Sequence, residues 1–218
     1  MYYSGKLFTQ DTIPRNGLIA EYLLNGDAID TAGANSGTLT NNPTLTTGRK
    51  GTNSALMFSK INKTAVTLSM SFFKQNICSV SLWFNSNANQ SDSTGLFNFC
   101  LYSNDGGHLI VFIANKIAYY RKIRTGWLSF SSNSIITNNI WYHVVITFDG
   151  NIMRLYINNV LQTATITNST PTDYGADNQP AQIGRYVFDA GCFNGAIDDV
   201  RVYNKAITQQ EVTILYNE

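Results

Sequence analysis

WYHVVITFDGNIMRLYINNVLQTATI, residues 141–166, decides the fold. Tyr142, Val144, Ile146 and Phe148 alternate with Trp141, His143, Val145 and Thr147, which is the two-residue period of a strand. Asp149-Gly150-Asn151 is a tight turn, and the chain returns with Met153, Leu155 and Ile157 sharing a face. Asn158-Asn159 is a second turn, because Asn tolerates the left-handed backbone that two-residue hairpins require. Three strands joined by two such turns make a β-meander.

The same texture extends outward. ICSVSLWF (77–84) puts Cys78, Val80, Leu82 and Phe84 on one face, and LIVFIA (109–114) and KIAYYRKI (116–123) follow. Strands recur with Asn, Gly, Ser and Asp between them, a pattern of stacked antiparallel sheets rather than of βαβ units. One helix is predicted, over TQQEVTILYN (208–217): Thr208 and Glu211 form a capping box, and Val212, Leu215 and Tyr216 share a face. Residues 1–16 read as an N-terminal arm and 17–218 as one domain, with a long polar loop at 168–181. The predicted fold class is all-β, a two-sheet antiparallel sandwich with a short C-terminal helix.

Of the 218 residues, 44% are apolar, including 12 Tyr, 12 Phe and 3 Trp, enough for a sizeable core. Only 13% are charged and the net charge is +1, so no broad basic field exists to hold a phosphate backbone and nucleic acid is not an expected partner. Lys and Arg are scattered, and the closest cluster, YYRKIR (119–124), reads as a polar strand face. No apolar run is long enough to span a membrane. Nor does the N-terminus carry a stretch of signal-peptide length. The expectation is a virion-associated or soluble intracellular chain, or an extracellular one if a leader was removed. Cys78, Cys100 and Cys192 sit in apolar company and read as buried thiols.

Three segments together resemble laminin-G-like, concanavalin A-like jelly-roll domains of the bacterial and phage type. GLIAEYLLNGDAIDTAGANSGTL (17–39) is similar to the family's opening strand and its Asn-Gly-x-x-x-Asp loop. IWYHVVITFDGNIMRLYINNVLQ (140–162) is similar to its central hairpin. IGRYVFDAGCFNGAIDDVRVYNKAITQQEVTILYN (183–217) is similar to its closing strand and helix. The resemblance implies two curved sheets packed face to face as a jelly roll. It also implies a structural Ca²⁺ at the rim, where the early loop meets the late strand. Asp30 and Asp198 match the family's acidic positions, and Asn25 and Asp27 would complete the oxygen set. The alternative is a metal-free hydrogen-bonded latch.

Asp198 poses a question of parity. It shares a face with Val200 and Val202 if the strand runs unbroken, which would aim an acid at the core. A β-bulge between Ile197 and Val200 would change this. A buried carboxylate needs backbone N–H groups, a cation such as Arg201 or Arg185, or a metal.

Catalysis is not expected. The glucanase relatives that the resemblance brings in carry Glu-x-Asp-x-Glu or a close variant on one strand. The Glu residues here, at 21, 211 and 218, form no such pattern. Asp198 and Asp199 are adjacent and face opposite ways, so they do not work on one bond. Two readings remain open. One is a non-catalytic binding or adhesion module for carbohydrate, displayed on a cell surface or phage particle. Tyr119, Tyr120, Trp127, Tyr174 and Tyr186 would stack on sugar rings, with Phe188 nearby, while Trp83 and Trp141 read as core. The other is a structural decoration subunit of a virion or other assembly. It would bind protein through Tyr2, Tyr3, Leu7, Phe8 and Ile13 of the arm, with no glycan ligand.

Overall fold

A computed structural model describes residues 12–68, 77–89, 92–99, 107–123, 126–166, 180–186 and 191–218. The opening stretch forms the predicted meander: β11 (Trp141–Phe148), β12 (Ile152–Ile157) and β13 (Val160–Ile166). Its turns are made as their residues require. Asn158 and Asn159 are both left-handed, at φ 47° and 66°. Asp149 caps the other turn, its Oδ1 accepting from the Asn151 and Ile152 N–H groups.

Around this hairpin the chain builds two sheets. The earlier strands are β1 (Leu18–Tyr22), β2 (Thr38–Thr40), β3 (Thr44–Thr47), β4 (Asn53–Phe58), β5 (Ala65–Leu68) and β6 (Cys78–Ser86). Then come β7 (Thr94–Phe99), β8 (His108–Ile113), β9 (Lys116–Ile123) and β10 (Gly126–Ser131) before the meander. After it come β14 (Ala181–Ile183), β15 (Gly195–Tyr203) and the helix α1 (Gln209–Asn217). The eight-stranded sheet runs β13-β12-β11-β6-β15-β4-β3, with β1 also on β15. The seven-stranded sheet runs β10-β9-β8-β7-β14-β5-β2. All the pairings within the sheets are antiparallel. The all-β sandwich with one short C-terminal helix is thus observed.

The core lies between the sheets, where Leu82, Phe84, Val144, Ile146 and Ile197 meet Phe97, Ile110, Phe112, Tyr119 and Ile183. Tyr119 is fully buried there. The helix covers the outer face of the larger sheet: Val212 and Leu215 pack on Val145, Tyr156 and Tyr203. Its capping box forms as predicted, with the Thr208 N–H donating to the Glu211 carboxylate and the Glu211 N–H to the Thr208 hydroxyl. Tyr216 stacks on Trp83, which is buried beneath the helix and not in the central core. Trp141 is half-buried rather than in the core. Cys78 and Cys192 are buried thiols, and Cys100 lies outside the described residues. Of the arm, Ile13 packs against the cluster under the helix, and residues 1–11 lie outside the described residues. No helix among the described residues is long and apolar enough to cross a membrane.

Candidate functional site

Asp30 and Asp198 are both buried, but they serve separate arrangements. The Asp30 carboxylate accepts four backbone N–H groups, from Glu21, Ala32, Gly33 and Asn35, each at 3.0 Å. Three of these reach Oδ1 and one, from Asn35, reaches Oδ2, so the backbone of its own loop and of β1 already holds this carboxylate. Asp27 turns back to accept from the Ile29 N–H, and Asn25 is exposed. Of the four oxygen donors that the resemblance implied, Asp30 and Asp27 are engaged by backbone N–H groups near them in the chain and Asp198 by that of Arg49. Their contacts make a latch of hydrogen bonds. Among the described residues no three His, Cys, Asp or Glu side chains form a metal-holding group.

Asp198 answers its parity question through the bulge. The β15–β6 register shifts between Asp198 and Arg201, and Asp199 is left-handed at φ 47°. Asp is among the residues that tolerate that conformation. The extra residue lets Ile197, Val200 and Val202 all reach the core and turns Asp198 to the outer face. Its Oδ2 accepts from the Arg49 N–H at 3.3 Å. Arg201 and Arg185, the cations suggested by the sequence, are not its partners among the described contacts; Arg49 had no local signal to reveal it. Arg49 Nε donates to Asp199, its Nη2 to Glu218 at 2.7 Å, and its guanidinium lies over the Trp83 ring. Arg201 joins Glu21 and Glu218, at 2.8 and 2.7 Å. Burial, then the neighbouring Asp199 charge, push Asp198 up to about 7 against the opposing Arg49 N–H. Burial also holds His143, whose ring stacks on Trp83, down at about 3. These groups hold one another in a network of ion pairs and hydrogen bonds.

A different surface brings the predicted aromatics together. On the outer face of the seven-stranded sheet, Leu109 and Val111 form a buried floor. Tyr120, Trp127 and Tyr186 gather on it, each partly exposed. Strand parity explains the selection. Ile117 and Tyr119 point into the core, so Ala118, Tyr120 and Lys122 point out. Tyr119 is therefore a core residue that donates or accepts a hydrogen bond with His108 Nδ1 at 2.6 Å, not a ligand contact. Tyr120 and Trp127 meet edge to face at 6.4 Å. Lys122 lies directly across from Trp127 in the ladder, and its Nζ stands 5.2 Å from the indole centre. Tyr186 arrives from the loop after β14. Gly95 allows this, because a Cβ there would meet the Arg185 carbonyl carbon at 2.3 Å. Tyr174 lies outside the described residues.

Residues 60–213 match the family described as the concanavalin A-like lectin/glucanases superfamily. The chain belongs to this superfamily. Among solved structures it is similar to domain 4 of AbnA, a GH43 extracellular arabinanase from Geobacillus stearothermophilus, determined with arabinotriose. That pair is 24% identical, with a TM-score of 0.74 over 91% of this chain and 98% of the other. It is also similar to the binding domain of Paraclostridial Mosquitocidal Protein 1, at 18% identity and TM-score 0.77, covering 93% of this chain and 52% of that one. At these identities the likeness is one of fold. A curated relative, the human adhesion G-protein coupled receptor D1, is 30% identical over 78 residues, 35% of this chain and 9% of the receptor. The chain thus spans nearly all of the arabinanase domain, about half of the mosquitocidal binding domain and under a tenth of the receptor. As a concanavalin A-like domain, it presents two sheet faces: one closed by its helix, the other carrying the aromatic cluster.

Proposed function

We propose that this concanavalin A-like domain is a non-catalytic carbohydrate-binding module that takes sugars on the outer face of its seven-stranded sheet. One observation carries the reading. Tyr120, Trp127 and Tyr186 converge on that face over an apolar floor and keep part of their rings in solvent. Sugar rings present flat C–H faces that stack on such side chains, and their hydroxyls need hydrogen-bond partners at the edge. The Ser129 hydroxyl, exposed and directly across the ladder from Tyr120, is one. The arabinanase domain determined with arabinotriose supports the reading by analogy of fold.

The non-catalytic part of the reading is supported by where the two adjacent acids of β15 lie. A glycosidase needs two carboxylates facing one bond about 5–9.5 Å apart. Asp198 and Asp199 are instead turned into the network of Arg49, Arg201 and Glu218, on the other sheet. Adhesive display on a cell or particle is the wider setting proposed for such a module.

The test is an oligosaccharide array probed with the whole chain and with Trp127→Ala. The intact protein is expected to retain a defined set of glycans, and the variant to lose at least about tenfold in affinity, since stacking of a flat ring on an aromatic is worth roughly 1–3 kcal/mol. Binding that is indifferent to Trp127, or no binding across the array, overturns the proposal.

A further inference from the structure

The charge on the seven-stranded sheet is one-sided. None of its seven strands contains an Asp or Glu. The outward stripe of β9 reads Lys116, Ala118, Tyr120, Lys122, and two of these four are cations. Neither Lys116 nor Lys122 has an ion-pair partner among the described residues, whereas Lys60, Lys205, Arg15, Arg49, Arg154 and Arg201 are all paired. The acids those pairs use are in loops, in the helix or on the larger sheet.

Lys122 is also in a particular place. Its Nζ lies over the Trp127 ring, the ring best suited to stack on a sugar. An ammonium held there is weakly occupied, because a cation–π contact at a partly exposed site is worth only about 0.5–1 kcal/mol. An anion arriving with a stacked sugar offers it a stronger partner, a charge-assisted hydrogen bond. Ser129 and Tyr120 would meet the uncharged hydroxyls, and Lys116, further along the stripe, adds to the local positive potential.

We infer that the ligand of this face is an acidic glycan, whose carboxylate or sulfate is met by Lys122 while its ring stacks on Trp127. The inference rests on the carbohydrate-binding reading and narrows it to anionic sugars. The two acid groups share the chemistry that Lys122 recognises, and the experiment separates them.

The whole chain is titrated with polygalacturonate, its fully methyl-esterified form, a sulfated galactan and a neutral galactan. Binding is expected to polygalacturonate, to the sulfated galactan or to both, and at least about tenfold weaker to the neutral polymers. Raising the salt from 50 to 500 mM should weaken the acidic complexes several-fold, because a partly exposed ion pair is screened. Lys122→Gln should remove most of the preference and most of the salt dependence, with the near-ultraviolet circular dichroism unchanged, and Lys122→Arg should retain both. Preference for polygalacturonate alone assigns a carboxylate, and for the sulfated galactan alone a sulfate. Equal, salt-independent binding of esterified and free polygalacturonate overturns the acidic inference and leaves the carbohydrate module standing. No binding to any of the four polymers, with hits on the wider array only among neutral glycans, also overturns it. No binding anywhere overturns both readings. The salt and ester comparisons use the unaltered protein, so they decide even if a variant fails to fold.

Discussion

At the scale of single residues, Asp198 and Asp30 show two ways to bury a carboxylate. Asp30 accepts four backbone N–H groups. Replacing it with Ala strands those donors, at roughly 1–3 kcal/mol for each one left buried. Asp30→Ala is expected to lower stability to urea by at least about 3 kcal/mol. The melting temperature of the unaltered protein should not move with EDTA or with excess Ca²⁺, and a rise with Ca²⁺ would restore the metal that the resemblance implied. Asp198 is the opposite case. Its folded value near 7 lies above the ordinary 3.8, so the folded state holds the proton more tightly. Its contribution is therefore full below about pH 4 and is lost as pH rises through 7. Asp198→Asn should match the parent at pH 4 and exceed it at pH 8 by roughly 2–4 kcal/mol, since each unit is worth about 1.4 kcal/mol. Denaturant midpoints at the two pH values test this. His143 runs the other way. Held near 3 against 6.5, it contributes stability above pH 6.5 that is lost as pH falls towards 3, so the comparison must be between variant and parent at each pH.

At the scale of elements, β15 shows what sequence pattern can and cannot reveal. Its first half, Gly195 to Ile197, pairs with β4, and its second half, from Val200 to Tyr203, pairs with β1. The two acids stand where the partner changes. Alternation in AIDDVRVY was legible, and so was the possible bulge, because Ile197 and Val200 cannot both face inward otherwise. The partner of Asp198 was not, since Arg49 is 149 residues away in the chain. The aromatic site shows the same limit. In Tyr119-Tyr120 parity demands that one ring face in and the other out, but only the packed structure says which. Helix α1 needed no tertiary information, because a capping box is local. Thr208→Ala is expected to cost about 0.5–2 kcal/mol in thermal or urea unfolding, with the fold retained. A loss beyond this would mean that Thr208 does more than cap.

At the scale of the whole molecule, the ends of the chain complete the sheets that the middle begins. The superfamily match covers 60–213, yet β1 to β4 all lie before it. Without them β15 loses both β4 and β1 on one edge, and β5 loses β2. The buried Ala20, Tyr22, Leu56 and Phe58 leave the core, and Leu215 leaves the helix. Each large apolar side chain among them is worth roughly 1.5–3 kcal/mol of burial, against a total stability of about 5–15 kcal/mol. Arg201, buried, would also lose Glu21 and Glu218 and keep only the longer contact to Asp199, and a buried cation that loses its close partners is strongly destabilising. A fragment cut to 60–213 is therefore expected to show no cooperative urea transition and no near-ultraviolet circular dichroism, while the full chain shows both. A cooperative transition in the fragment would mean that the central strands close a core on their own, and that the clasp of first and last strands only decorates it.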